Sequence, residues 1–399
     1  MAFIALGEPT RRLTPNQPGW TASFAMAFRP LYLLAALFVA VAVSAWALGY
    51  SGSDALPGLY WHGHEMIWGY AGAIIVGFLL TAAATWTGQP PTRGLPLAGL
   101  TALWVAARVA AALEHGTPII TAALSVTFFL QAAIMLARPV LRVRSQRNYL
   151  LPVLLTGFGL ANLVYLLSVA ERVDIAPMRM LASGLLLVAA FIVIIGLRVI
   201  PFFAHRALGV PQVSTPTWAG WASVTATVAL AALAAFGGPP LLVDVLGIGT
   251  ALLNLGLLLR SAHRRMWGQP LLWVLYVGYA FTAVGLGVLA MALAGREAWL
   301  SAGVHLVGVG GIGVLTLGMM SRTALGHTGR PLKLTRDMPV AFALMVAAAA
   351  VRLAAAWPSG GAAPMLITVS GLMFAAAMVI FVGRYGRWLI STRADGMPG

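Results

Sequence analysis

The apolar positions of this 399-residue chain fall in blocks close to 20 residues long, parted by short connections that carry most of the charge. A block of that length crosses the ~30 Å hydrocarbon core of a bilayer as a helix. A membrane β-barrel would need short strands of alternating polarity instead. The blocks predict twelve spans, over 31–50, 62–86, 95–114, 117–138, 149–170, 177–201, 217–237, 241–261, 270–294, 299–321, 338–358 and 363–390. The expected architecture is an all-α, polytopic integral membrane protein, with a segment at 1–30, a single twelve-helix domain over 31–390 and a tail at 391–399. The first 30 residues hold no apolar core suited to a cleavable signal, so the N-terminus is expected to be retained.

Composition agrees with this reading. Sixty per cent of residues are apolar and 9% are charged, against about 25% charged in soluble domains. The net charge of +15 would suggest nucleic acid until the basic residues are placed. Twenty of the 25 Lys and Arg lie at the termini or in every second connection, Arg108 and Arg352 lie inside spans, and Arg172, Arg179 and Arg296 are the rest. That alternation is the positive-inside pattern, which predicts both termini in the cytoplasm and no nucleic-acid partner. The chain has no cysteine, which excludes disulfides, thiolate-held metals and covalently attached haem. Any metal must be held by imidazole, carboxylate, thioether or backbone.

His62 and His64 open the second span in the stretch WHGHEM, and His305 lies about two turns into the tenth from the same side. His205 and His327 follow the opposite ends of the sixth and tenth spans. Two residues apart on a helix is about 200°, so the His62 and His64 rings point to opposite sides and cannot share one ion without unwinding. Glu65 lies three residues after His62 on the same face, placed to orient that imidazole or to carry protons. Each of these histidines has an ordinary alternative as a hydrated interfacial residue, and Trp61 and Trp68 are common belt residues. His115 and His263 sit in polar connections and read as ordinary surface residues.

The run from His64 aligns without gaps on the run from His305 at an offset of 241, matching Gly69, Gly72, Gly77, Thr87, Gly88 and Pro90 with Gly310, Gly313, Gly318, Thr328, Gly329 and Pro331. The sixth span follows more loosely at an offset of 119. The pattern suggests three quasi-repeated four-helix units. The glycines, with Gly308 and Gly311, admit either a neighbouring helix or a flat ring system against the backbone. Arg198 and Arg322 could pair the carboxylates of a bound group, or reach phosphate headgroups. Met319 and Met320 are candidate thioethers, though methionine in a helix is more often packing.

The stretches FRPLYLL (28–34), WHGHEM (61–66), RVIPFF (198–203) and GMMSRTALGHTGRPL (318–332), in this order, resemble the NnrS family over about residues 24 to 390. The resemblance implies a bacterial inner-membrane protein containing haem and copper, associated with denitrification and resistance to nitrosative stress. The catalytic subunit of haem–copper oxidases offers a fold-level analogy: twelve helices in three arcs, with a helical HxH pair ligating two haems.

Together these readings predict a haem–copper membrane oxidoreductase that binds nitric oxide and reduces it. The haem is expected to be b-type and non-covalent. His62, His64 and His305 form the expected outer ligands, His205 and His327 a second set, Arg198 and Arg322 partners of the haem, and Glu65 the proton carrier. Electrons would come from a quinol or an external donor protein, and membrane lipid surrounds the whole. A non-enzymatic haem-based nitric oxide sensor and a metal-free twelve-helix transporter are the competing classes; against the transporter, no mid-span Gly/Pro break is evident on matched helices.

Overall fold

The computed structural model describes residues 14–356 and 363–399. Arg11 and Arg12 of the N-terminal segment, and the last two residues of the span expected at 338–358, lie outside the described residues. Among the described residues twelve helices are long and apolar enough to cross a membrane: α1 Phe28–Ala47, α2 Leu59–Thr87, α3 Gly94–Leu113, α4 Ile119–Arg142, α5 Gln146–Val169, α6 Pro177–Leu208, α7 Thr217–Phe236, α8 Pro240–Arg260, α9 Pro270–Leu293, α10 Glu297–His327, α11 Asp337–Ala356 and α12 Ala363–Leu389. Among the described residues there is no strand, only the isolated bridges Pro18–Ser391 and Gly52–Pro57. The chain is a multi-pass helical membrane protein.

The helices outrun their apolar blocks at several ends. α6 continues seven residues past 201 to Leu208, through Pro201, and stops where Gly209 takes the left-handed conformation at φ 65°. α2 ends the same way at Gly88, φ 65°. Hydropathy marks where the oily run ends. The backbone winds on until a residue without a Cβ lets the chain turn.

Consecutive spans pack side by side, and α12 returns to lie along α1, with Thr368 Oγ1 donating to the Ala47 carbonyl at 3.1 Å. α2 and α6 are the most enclosed, with 83% and 89% of their central windows buried, against 33–50% for α1, α3, α4, α5, α7, α8, α11 and α12. α9 and α10 are next at 67% and 61%. The span bearing WHGHEM therefore runs through the middle of the bundle.

Neither α2 nor α10 is a uniform α-helix. α2 winds as α to His64, as π over Glu65–Ala71, and as α again from Gly72. α10 changes to π at Leu306–Gly313 and back at Val314. Glu65–Ala71 advanced by 241 becomes 306–312, so both π stretches fall at the aligned register. A π turn adds a residue without breaking the backbone hydrogen bonding and often marks a functional site. α6 has no counterpart, so the shared irregularity links α2 with α10 alone.

The first and last described segments meet at one end of the bundle, where Gly19 N donates to Ile390 O at 3.0 Å and Thr392 N to Gln17 O at 2.9 Å. Arg29, fully buried, donates to the carbonyls of Leu389 at 3.2 Å, Ser391 at 2.7 Å and Gly399 at 2.7 Å. A cation on the last carbonyls of a helix satisfies acceptors that have no intrahelical partner and meets the negative end of its dipole. The arginine of FRPLYLL thus holds the end of α12.

Candidate functional site

At the end of the bundle opposite Gly19 and Ile390, α1, α2, α6, α10, α11 and α12 enclose a cavity of ≈ 1160 Å³ counted to its open mouth. His62 and His305 line it together with Arg352, Met66 and Met178. The remaining lining is largely aliphatic and aromatic.

The His62 ring lies flat on Trp46, 4.5 Å between centroids and 13° between planes. Its Nδ1 is buried and has no hydrogen-bond partner. His305 Nδ1 donates to the Ser301 carbonyl at 2.8 Å, which leaves Nε2 as the nitrogen with a free lone pair. A backbone carbonyl on one ring nitrogen is the usual way an imidazole is oriented for a metal at the other. Arg352 reaches Ser301 Oγ at 3.2 Å, so a cation and two imidazoles share one space.

His64 faces away from this cavity, as the spacing argument requires. Its Nδ1 donates to Glu65 Oε1 at 2.7 Å and its Nε2 lies 3.0 Å from Asn162 Oδ1. Asn162 Nδ2 has no partner as placed; with the amide turned over it donates to Nε2, and both groups are satisfied with His64 neutral. Tyr165 stacks on the ring at 5.9 Å and 13°. Both nitrogens of His64 are thus engaged inside the protein. Glu65 turns to the same side, not to His62. Its Oε2 lies 3.0 Å from Arg108 Nε as an ion pair whose N–H is not aligned for a hydrogen bond. Arg108 also reaches Ser125 Oγ at 3.4 Å. The π winding that begins at Glu65 sets this up, and Trp104 Nε1 donates to the Gly69 carbonyl within it at 2.9 Å.

The glycines divide by use. A Cβ at Gly69 would stand 2.8 Å from Arg108 Nη1 and 3.0 Å from Glu65 Oε2, so this glycine makes room for the ion pair. Gly72, Gly310 and Gly313 receive the rings of Phe129, Phe281 and Phe374, and Gly77 that of Tyr32. Gly308 lines the cavity and has open space where its Cβ would be. Helix packing accounts for most of these glycines; Gly308 is the one that opens a surface.

A family model described as NnrS protein matches residues 22–393. The chain belongs to the NnrS family. The family membership fits a membrane protein connected with nitric oxide, and no curated protein matches the chain. Three of the four stretches that carry the NnrS resemblance are knitted together at the end bearing the termini. His327 packs on Phe28 at 5.5 Å, and Arg322 lies 3.8 Å over the Phe203 ring. The fourth, WHGHEM, stands at the cavity.

The remaining expected site residues are spread apart. His205 Nδ1 donates to the Val210 carbonyl at 2.6 Å. Arg198 donates to Asn148 Oδ1 at 3.0 Å and to the Arg147 carbonyl at 2.9 Å. Neither they nor His327 and Arg322 reach the cavity. Among the described residues no three His, Cys, Asp or Glu side chains converge to hold one ion. Sequence reasoning passed over Arg352, Asn162, Met66 and Met178. An arginine inside an apolar span was the available signal for the first, and an asparagine in the middle of one for the second.

Proposed function

We propose that this protein binds haem in the cavity lined by His62 and His305 and handles nitric oxide there, in the oxidoreductase class. The observation that carries the reading is the pairing of two imidazoles from the two π-wound spans on one mostly apolar cavity. One is oriented by a backbone carbonyl. The other is stacked on Trp46 with a buried nitrogen that has no protein partner. Burying a polar nitrogen without a partner is unfavourable, and a ligand at the ring would remove the cost.

The donors fit the group. Imidazole suits iron and copper alike, apolar walls suit a macrocycle, and Arg352 supplies a cation for a carboxylate substituent. Haem would supply the binding of a diatomic gas, which would take the place of one of its two imidazoles. His62 and His305 would hold the iron, Trp46 and Ser301 fix the planes of their rings, and the aliphatic lining excludes water. Among the described residues no three-group cluster stands ready for copper; Met66 and Met178, which line the same cavity as the imidazoles, carry thioethers of the kind that suits its reduced state. The positive-inside pattern supports an inner-membrane location with this cavity on the outer face and electrons drawn from a quinol or a donor protein.

The matched π stretches are the feature that a transporter reading would use, since such proteins place their sites at interrupted helices. A π turn keeps its backbone groups bonded and exposes no unwound carbonyls, so it gives that reading little support. Optical spectra of the purified protein, oxidised and reduced, test the proposal. A Soret band that shifts with nitric oxide and disappears in both His62→Ala and His305→Ala supports it; an unchanged band in both variants rejects the site. Steady consumption of nitric oxide beyond one equivalent, with an electron donor, separates turnover from binding alone.

A further inference from the structure

The end of the bundle that carries the termini holds a cleft of a different character. The ends of α6 and α10, the start of α9 and the connection into α11 wall a space of ≈ 1390 Å³ counted to its mouth. Arg206, Arg322, Lys333 and Arg336 line it, and no carboxylate does. Among the described residues none of these four takes part in an ion pair. Asp337, the carboxylate next in sequence to Arg336, is held by Arg384 Nε at 2.7 Å. The Arg322 guanidinium carbon stands 3.8 Å from the centre of the Phe203 ring, a cation–π contact that holds the group in place and leaves N–H donors to bind. About 25 Å of helix separates Arg322 from His305, at 1.5 Å per residue, so these cations do not serve the cavity of the other end.

We infer that this cleft binds a phosphate group, the chemistry shared by an anionic phospholipid head and free phosphate. Four converging cations without a counter-charge repel one another, and an anion between them turns that repulsion into attraction. An arginine plane held by an aromatic ring is pre-organised for two parallel N–H···O bonds to phosphate, with lysine adding a point charge. The wall beside the cations is apolar: Leu271, Leu272, Pro339 and Leu332, the last 50% exposed. Such a wall gives acyl chains a course next to the head. Basic pockets at helix ends on the membrane surface recognise anionic lipid in this way.

The test uses the full chain, purified in detergent and stripped of lipid, then offered vesicles of phosphatidylcholine with or without one-third phosphatidylglycerol. Lipid retention is read by native mass spectrometry and the unfolding midpoint by heating. The exposed double variant Lys333→Gln/Arg336→Gln avoids disturbing the Arg322–Phe203 stack, and Arg264→Gln/Arg265→Gln, an exposed pair elsewhere, controls for charge. Retention of phosphatidylglycerol by the unmodified protein and the control, weakened about tenfold in the cleft variant, supports the site with lipid as its source. A midpoint raised by millimolar inorganic phosphate alone, lost in the cleft variant, supports it with free phosphate as the source. Equal retention and equal response in the cleft variant and the unmodified protein overturn the inference, as does equal loss in the control.

Discussion

Trp46 and His62 stack face to face across the junction of α1 and α2, 13° from parallel. The indole sits in the last turn of α1, and its plane sets the plane of the imidazole. Replacing it with alanine should leave the helices in place and free the ring to rotate. The expected outcome is a Trp46→Ala protein that still takes up haem, at a severalfold weaker affinity and with a broadened low-temperature electron paramagnetic resonance spectrum. A spectrum indistinguishable from that of the unmodified protein would separate Trp46 from the site.

His62 and His64 should give opposite results despite their spacing. His64→Ala removes the donor to Glu65 and the partner of Asn162 in a buried place, which should cost ~1–3 kcal/mol of stability with the absorption spectrum retained. His62→Ala should lose the spectrum and keep the unfolding temperature of the cofactor-free protein. Titration with haem and thermal unfolding, run on both variants, decide between the two roles.

The Glu65–Arg108 pair is buried on both sides. Removing one member of such a pair leaves the other uncompensated, at about 3–5 kcal/mol. Glu65→Gln and Arg108→Gln should each unfold at markedly lower temperature in detergent. The double variant should recover part of the loss, and a double-mutant cycle measures the coupling. Additive losses would show that the contact is incidental.

Gly184 on α6 faces the indole of Trp68 on α2, and a Cβ there would stand 2.7 Å from Cη2. The indole cannot retreat freely, because its Nε1 donates to the Phe158 carbonyl at 3.1 Å. Gly184→Ala should destabilise the bundle by about 1–3 kcal/mol through overpacking. Gly157→Ala on α5, with nothing within 4 Å of its Cβ position, should not. Thermal unfolding of the two proteins side by side checks the contrast.

Outside the membrane, hydrogen bonds from Arg393 lower the Asp395 carboxyl from its ordinary 3.8 to about 2, with help from the Met397 amide. A depressed carboxyl contributes its stabilisation above the unfolded value and loses it as pH falls through the folded one. The segment 391–399 should therefore stay docked at pH 5 and loosen between about pH 4 and 2. Asp395→Asn should be loosened at every pH. Amide hydrogen exchange of that segment reads the difference.

The twelve spans could be read from hydropathy because bilayer thickness sets the length of an apolar helix whatever it packs against. The side-to-side placement of His62 and His64 could be read for a similar reason, since it needs only helical geometry. The partners could not. Glu65 has the spacing to meet His62, yet Arg108 from the next span and the neighbouring His64 compete for it and win. The π winding that turns Glu65 has no proline to announce it. It is held by tertiary contacts, Trp104 on the Gly69 carbonyl among them. Arg29 looked like one more topological charge and is a cap on a helix 360 residues away in sequence, as its bond to Leu389 shows.

The Glu65–Arg108 pair also bears on how the chain is made. An unpaired ionised side chain opposes release of a nascent span into lipid, by ~2.5–3.5 kcal/mol at the helix centre and by less nearer its ends. α2 leaves the ribosome with its carboxylate exposed, and the matching guanidinium follows one short connection later on α3. Each segment is apolar enough to span, yet partitions less readily alone than with its partner. The hairpin of the two is the smallest piece that can leave the translocation channel neutral, so the order of synthesis is itself part of the route to the fold.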